Sequence, residues 1–267
     1  MKICFSTLGC TDRSLGEVLS LAKNYSIDAL ELRGLDGVMD NRKIAAFAPE
    51  NREATLAKFA EYGVKPLVLG TSCSFHDETK LEGFLEEGYR SIDIAQSFGF
   101  GSIRVFGNNI RGDEAECLDR IARGISALCE YAADKGVDVL LETHGDVNTR
   151  ERLGAVAKVC GKYQNFGFIW DICHTRLTYG ENWRDFCSDF GHLIRHVHLK
   201  DVTERGLTLP GAGDLPIRDM VNYLNENGYD GYFSLEWEKK WHPELPEAEV
   251  EFPRYVAYMK QLIEKFS

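Results

Sequence analysis

The chain of 267 residues lacks any run of the about 18 apolar residues that a membrane helix requires. Its opening, Met1 to Thr7, reads as a strand with one lysine and has no secretion-signal core. The expectation is a cytoplasmic protein whose mature chain begins near Met1, without a membrane partner. The eight cysteines (Cys4, Cys10, Cys73, Cys117, Cys129, Cys160, Cys173 and Cys187) form no Cys-x-x-Cys pair, so neither a zinc ribbon nor a disulfide framework is expected at this size. Basic residues are also short: 31 Lys and Arg face 42 Asp and Glu, a net charge of −11. Such a surface repels phosphate backbones and anionic lipid, so nucleic acid is not expected as a partner. No Gly-x-Gly-x-x-Gly follows the first strand, which removes the dinucleotide-binding fingerprint.

What is present is an ordinary globular composition, 44% hydrophobic and 27% charged, arranged as a regular alternation. Short β-branched runs at Ile3 to Thr7, Ala29 to Arg33, Pro66 to Thr71, Ser102 to Gly107, Val137 to His144, Gly167 to Asp171, Ile194 to Asp201 and Tyr232 to Glu238 predict eight strands. Amphipathic segments between them predict helices, among them Ser14 to Tyr25, where Ser14 and Glu17 have capping-box spacing, Asn51 to Tyr62, and a last one from Phe252 to Phe266. Gly63, Gly99, Gly136, Gly161, Gly191 and Gly228 stand where a left-handed residue would close a helix before the next strand. Eight βα units without a linker predict an α/β fold, a (β/α)8 TIM barrel in a single domain over residues 1–267.

In such a barrel, chemistry sits where strands end, and those ends are polar. Parity places Glu142 with His144 on one face, His196 with His198 and Lys200, and Ser234 with Glu236 and Glu238, each set pointing to the barrel axis. Several carboxylates converging with a histidine are costly without a compensating cation, so one divalent metal ion is expected, with manganese, cobalt, magnesium and zinc all suited to the donors.

The order Glu142 in Leu-Glu-Thr-His, Asp171 in Trp-Asp-Ile-Cys-His, His198 in His-Val-His-Leu-Lys-Asp and Glu236 in Ser-Leu-Glu-Trp-Glu resembles the xylose-isomerase-like sugar (phosphate) isomerase/epimerase superfamily. Within it, the chain looks like the ketose 3-epimerases and inosose dehydratases. The resemblance implies Glu142, Asp171, His198 and Glu236 as metal ligands, Glu142 and Glu236 as the acid/base pair, and a small sugar or polyol-derived ketone as substrate. It implies proton abstraction beside a carbonyl through a metal-stabilised enediolate. The Asp-x-x-His spacing implies that His174 contacts a substrate hydroxyl. Two departures stand out: the ketose 3-epimerases carry an arginine six residues after the ligand histidine and a glutamate six after the first ligand, where this chain has Glu204 and Asn148. Arg205 is one position late and remains a substrate-binding candidate.

Each candidate also has a plainer reading. Asp171 suits a helix cap, and His198 or His196 a hydrogen-bonded core histidine. Lys200 suits substrate contact or an ion pair with a site carboxylate, and Glu31 and Arg33 suit substrate contact or an internal ion pair. His144 suits contact with substrate or with a metal ligand as well as a packed strand end, and the glycines of Pro210 to Asp214 either a turn or a phosphate cradle. The long loops Gly34 to Glu50 and Val202 to Leu215 would roof the mouth, and Tyr179, Trp183 and Trp241 would wall it or cover a subunit interface. Homo-oligomerisation is allowed but marked by no motif. The competing functions are a keto-inositol dehydratase, an endonuclease IV-like repair enzyme, and a sugar-binding barrel without catalysis. The repair enzyme fits poorly, because Thr208 and Leu209 stand where it would need an Asp-x-His metal pair.

Overall fold

All eight expected runs form strands in the computed structural model, which describes residues 2–180 and 182–264. They are β1 Lys2–Ser6, β2 Ala29–Leu32, β3 Lys65–Ser74, β4 Ser102–Phe106, β5 Asp138–Glu142, β6 Phe166–Asp171 and β7 Ile194–Leu199. After the small antiparallel hairpin β8 Asp201–Thr203 and β9 Gly206–Thr208 comes the last barrel strand, β10 Tyr232–Leu235. The parallel strands close in the order β1-β10-β7-β6-β5-β4-β3-β2, a single α/β barrel. Around it run α1 Leu15–Tyr25, α2 Arg52–Tyr62, α3 Leu81–Phe98, α4 Glu114–Ala132, α5 Arg150–Cys160, α6 Ile172–Tyr179, α7 Trp183–Phe190, α8 Ile217–Glu226 and α9 Ala248–Glu264. Met1 and the expected end of the last helix at Lys265 and Phe266 lie outside the described residues. No described helix is long and apolar enough to cross a membrane.

Local chemistry sets the joints. Ser14 caps α1 with Glu17 reciprocating, the full capping box. Gly63, Gly99, Gly136 and Gly228 take positive φ as expected, whereas Gly161 and Gly191 sit at φ −64° and −54°, right-handed values that need no glycine. Ser26 instead takes the left-handed position after α1.

Strand parity divides the core. Alternate positions along each strand, such as Ile103, Val105, Val139, Leu141, Phe168, Trp170, Val197, Leu199, Phe233 and Leu235, pack under the helices. Their neighbours face the axis, where Val68, Leu140 and Ile169 form a small apolar plug. Above the plug the interior turns polar: Glu31, Arg104, Glu142, Asp171, His196, His198 and Glu236 are all buried. A few apolar side chains thus close one end of the barrel and leave the other to charge.

The connections are more ordered than the sequence suggests. The stretch after β2 folds into short 3-10 turns at Asn41–Lys43, Ala45–Phe47 and Pro49–Asn51, and Phe47 packs edge-on against Phe98 and Phe100. Trp183 is buried against Trp170 and belongs to the core, not to the wall of the mouth. The amides of the Pro210 to Asp214 segment do not cradle a phosphate. Asp201 already accepts from Gly211 N and Gly213 N at 3.0 Å through one oxygen, and from Leu215 N at 3.0 Å and Val202 N at 2.9 Å through the other. A Cβ at Gly213 would collide with that carboxylate, so glycine is needed for the close approach. Asp201→Ala leaves these amides without their charged acceptor and should lower stability by about 3 kcal/mol in urea unfolding. A change under about 0.5 kcal/mol would show that water replaces the carboxylate.

Candidate metal centre and barrel mouth

Ligand atoms of Glu142, Asp171, His198 and Glu236 lie within 4.8 Å of one another, and all four residues are buried. They come from the ends of β5, β6 and β7 and from the residue after β10, so the convergence is a product of barrel closure. His198 Nδ1 stands 3.4 Å from Glu236 Oε2, 3.8 Å from Glu142 Oε1 and 3.9 Å from Asp171 Oδ2, yet has no hydrogen-bond partner. A buried imidazole nitrogen surrounded by three carboxylates and bonded to none suits a divalent cation's donor set.

The other face of that imidazole is fixed. His198 Nε2 lies 2.7 Å from Glu31 Oε2, and the same oxygen receives His196 Nε2 at 3.1 Å and the Ser234 hydroxyl at 3.3 Å. Burial alone would raise the Glu31 carboxyl, but His198 and His196 outweigh it and hold it far below the usual carboxylate range. A carboxylate acceptor on Nε2 orients the ring so that Nδ1 faces the cluster. Glu31 therefore lies beneath the centre, pairs with histidines and not with Arg33, and does not line the cavity above.

Asp171 is a helix cap, one of its expected readings, and its second oxygen is left facing the cluster. Oδ1 caps α6 by accepting from Cys173 N and His174 N at 2.9 Å, while Oδ2 faces the cluster 2.7 Å from Lys200 Nζ. The cap locks the carboxylate's direction before any ligand arrives. Lys200 Nζ also reaches Glu236 Oε2 at 2.6 Å and Glu238 Oε1 at 2.5 Å, so its ammonium is an internal counter-charge.

Arg104, which the sequence reading passed over, is the second counter-charge. Its Nη1 lies 3.1 Å from Glu142 Oε2, 3.4 Å from Glu236 Oε1 and 3.9 Å from Glu31 Oε1, and its guanidinium sits 4.3 Å over the Phe106 ring. The signal was available: a lone charge between Ile103 and Val105 in β4 must face the axis if its neighbours face the helices.

These cations do not treat the carboxylates alike. Burial and then the negative Glu236 push the Glu142 carboxyl up to about 7, against the pull of Arg104. Burial pushes Glu236 the same way, but His198 and Lys200 overcome it and keep it well below the ordinary range. His198 is raised well above its usual value: burial opposes its charge, and Glu236 and Glu31 prevail.

The mouth opens into a cavity of about 280 Å³ above the cluster. His144 and His174 line it edge to face, ring centres 4.2 Å apart, and His144 Nδ1 pairs with Asn108 Oδ1 at 3.1 Å. Burial lowers the His144 imidazole, favouring its neutral form. Arg33, Arg104, Lys200 and Glu238 also line it, and Trp241, 56% exposed, forms part of its rim. Arg205 lies apart, exposed at the turn of the β8–β9 hairpin and absent from this lining, because the hairpin carries the residues after Asp201 away. Tyr179 packs against Phe186 and is likewise absent from the lining. A larger hollow of about 590 Å³ lies outside the barrel between the 3-10 turns and α3, but it gathers no comparable donor set.

Fold and site together define an α/β barrel whose strand ends assemble a set of residues that could hold a metal ion. The chain belongs to the xylose isomerase-like TIM barrel family, whose model matches residues 20–259. It is 30% identical over 125 residues to fructoselysine 3-epimerase of Escherichia coli O157:H7, covering 44% of each chain. Over 141 residues it is 28% identical to inosose dehydratase of Clostridium botulinum (strain Alaska E43 / Type E3), covering 45% of this chain and 46% of that one. The match thus spans less than half the length of either curated relative. Among solved structures, the IOLI protein with a bound zinc atom superposes with a TM-score of 0.79 at 20% identity, covering 100% of this chain and 99% of that one.

Glu31→Gln removes the anionic acceptor of His198 and should weaken divalent-metal affinity about 10- to 100-fold in chelator competition. Unchanged affinity would show that Glu31 does not orient the ligand. Metal uptake must also displace the protons held by Glu142 and His198, so apparent affinity should rise as pH climbs through about 7. Calorimetry one unit either side, in buffers of different ionisation enthalpy, checks for the released protons.

Proposed function

We propose that the chain is a divalent-metal-dependent sugar isomerase or epimerase, taking a proton from the carbon beside a carbonyl of a small sugar or polyol-derived ketone. The observation that carries this reading is the paired carboxylates Glu142 and Glu236, held at one Arg104 nitrogen within a four-residue set that could hold a metal ion. Family membership supports metal-dependent chemistry next to a carbonyl.

Glu142, Asp171, His198 and Glu236 would hold the ion. When bound, it would draw charge from the substrate's carbonyl and neighbouring hydroxyl oxygens and so acidify the carbon between them. Glu236, paired with Lys200, and Glu142, paired with Arg104, are the natural acid/base pair, one taking the proton and the other giving one. Taking a proton with one group and returning it with the other inverts the centre. Arg104 touches both carboxylates, keeping them apart and limiting their repulsion. His174 and His144 offer ring edges for substrate hydroxyls, and Trp241 an apolar cover.

A lyase of the inosose dehydratase type is the second reading, favoured by the likeness to that relative and by Glu204 and Asn148 at the two positions where the ketose 3-epimerase pattern is not kept. It begins with the same proton abstraction and differs in losing water. Incubating the metal-loaded protein with ketoses and inososes in deuterated water tests both. Deuterium beside the carbonyl with mass otherwise retained is the expected result, loss of water identifies the lyase, and no incorporation with any compound sinks the proposal. Glu236→Gln at saturating metal should slow incorporation by about 100-fold or more.

A further inference from the structure

We infer that the cavity is built for a substrate carrying one anionic group, a carboxylate or a phosphate, which the Arg33 guanidinium takes as its counter-ion. This rests on the sugar-carbonyl reading of the site and narrows its substrate class.

The cations lining the cavity are not alike. Lys200 is matched by Asp171, Glu236 and Glu238, and Arg104 by Glu142 and Glu236. Arg33 has no carboxylate at ion-pair distance among the described residues. Its side-chain hydrogen bonds go to neutral acceptors, Met39 O at 3.0 Å and the Ser72 hydroxyl at 3.2 Å. These bonds position the planar group without neutralising it. Its stem is accommodated deliberately by β3: a Cβ on Gly70 would stand 2.6 Å from Arg33 Cδ.

A partly buried charge without a partner is costly, and the cost is removed when a ligand supplies the opposite charge. Burial and the like charge of Arg104 bring the Arg33 pKa down to about 10, against the weaker pull of Glu87, Glu142 and Glu236, none of which reaches ion-pair distance. The guanidinium fork matches the two oxygens of a carboxylate or phosphate, which a neutral hydroxyl matches poorly. The carbonyl end of the substrate then lies at Glu142 and Glu236, and its charged end against the Arg33 wall.

Titration calorimetry of the metal-loaded full chain with glucitol, gluconate and glucitol 6-phosphate tests this. At least one anionic polyol should bind about 10- to 100-fold more tightly than glucitol. Arg33→Gln should abolish that preference, with the loss confined to the anionic ligands; whichever anion is affected identifies the group. Equal affinities in the unaltered protein overturn the inference, as does a preference that survives Arg33→Gln, which would place the anion on the metal. Should that variant not fold, Arg33→Lys replaces it: the fork is lost and the anionic ligand should weaken about tenfold, whereas equal weakening of all three ligands overturns the inference. Binding ratios need no turnover, so failure here is distinct from failure of deuterium incorporation in the unaltered protein.

Discussion

Mutual repulsion of carboxylates inside a closed barrel is the constraint around which this molecule is arranged. Glu31, Glu142, Asp171 and Glu236 are all buried, and such a set would not fold unless cations came with it. The chain supplies Arg104 and Lys200 permanently and two histidines conditionally, and leaves His198 Nδ1 without a hydrogen-bond partner among three carboxylates, a donor set that could hold an ion. Stability and metal affinity are therefore two expressions of one electrostatic problem.

The compensation is unequal. His198 and Lys200 overcome burial at Glu236, whereas Arg104 and His198 do not overcome it at Glu142. Two carboxyls of the same type therefore differ in readiness to hold a proton, a difference of environment and not of residue. The same economy appears at Asp171, which caps a helix with one oxygen and faces the ligand cluster with the other, and at Asp201, whose carboxylate organises a glycine-rich loop.

Much of this was legible in the residues. The eight βα units and the alternation that sends Glu142, His198 and Glu236 inward follow from periods and local chemistry, while the order of the four ligand candidates is what the family resemblance implies. Arg104 was legible by the same parity, but only once its strand is seen to share an interior with the acids. Other assignments were open to the reader of the sequence: whether Glu31 pairs with Arg33 or with histidines, and whether the Pro210 to Asp214 glycines bind phosphate or Asp201. Those depend on partners distant along the chain, such as His198, 167 residues from Glu31.

The sequence by itself determined which positions alternate, where helices are capped, and hence that a parallel barrel with polar strand ends would form, because these are local consequences of side-chain type and spacing. Only the tertiary structure decided which charges meet. Barrel closure brings β2, β4, β7 and the end of β10 to one axis, and an ion pair is set by distance in space, which no spacing along the chain encodes.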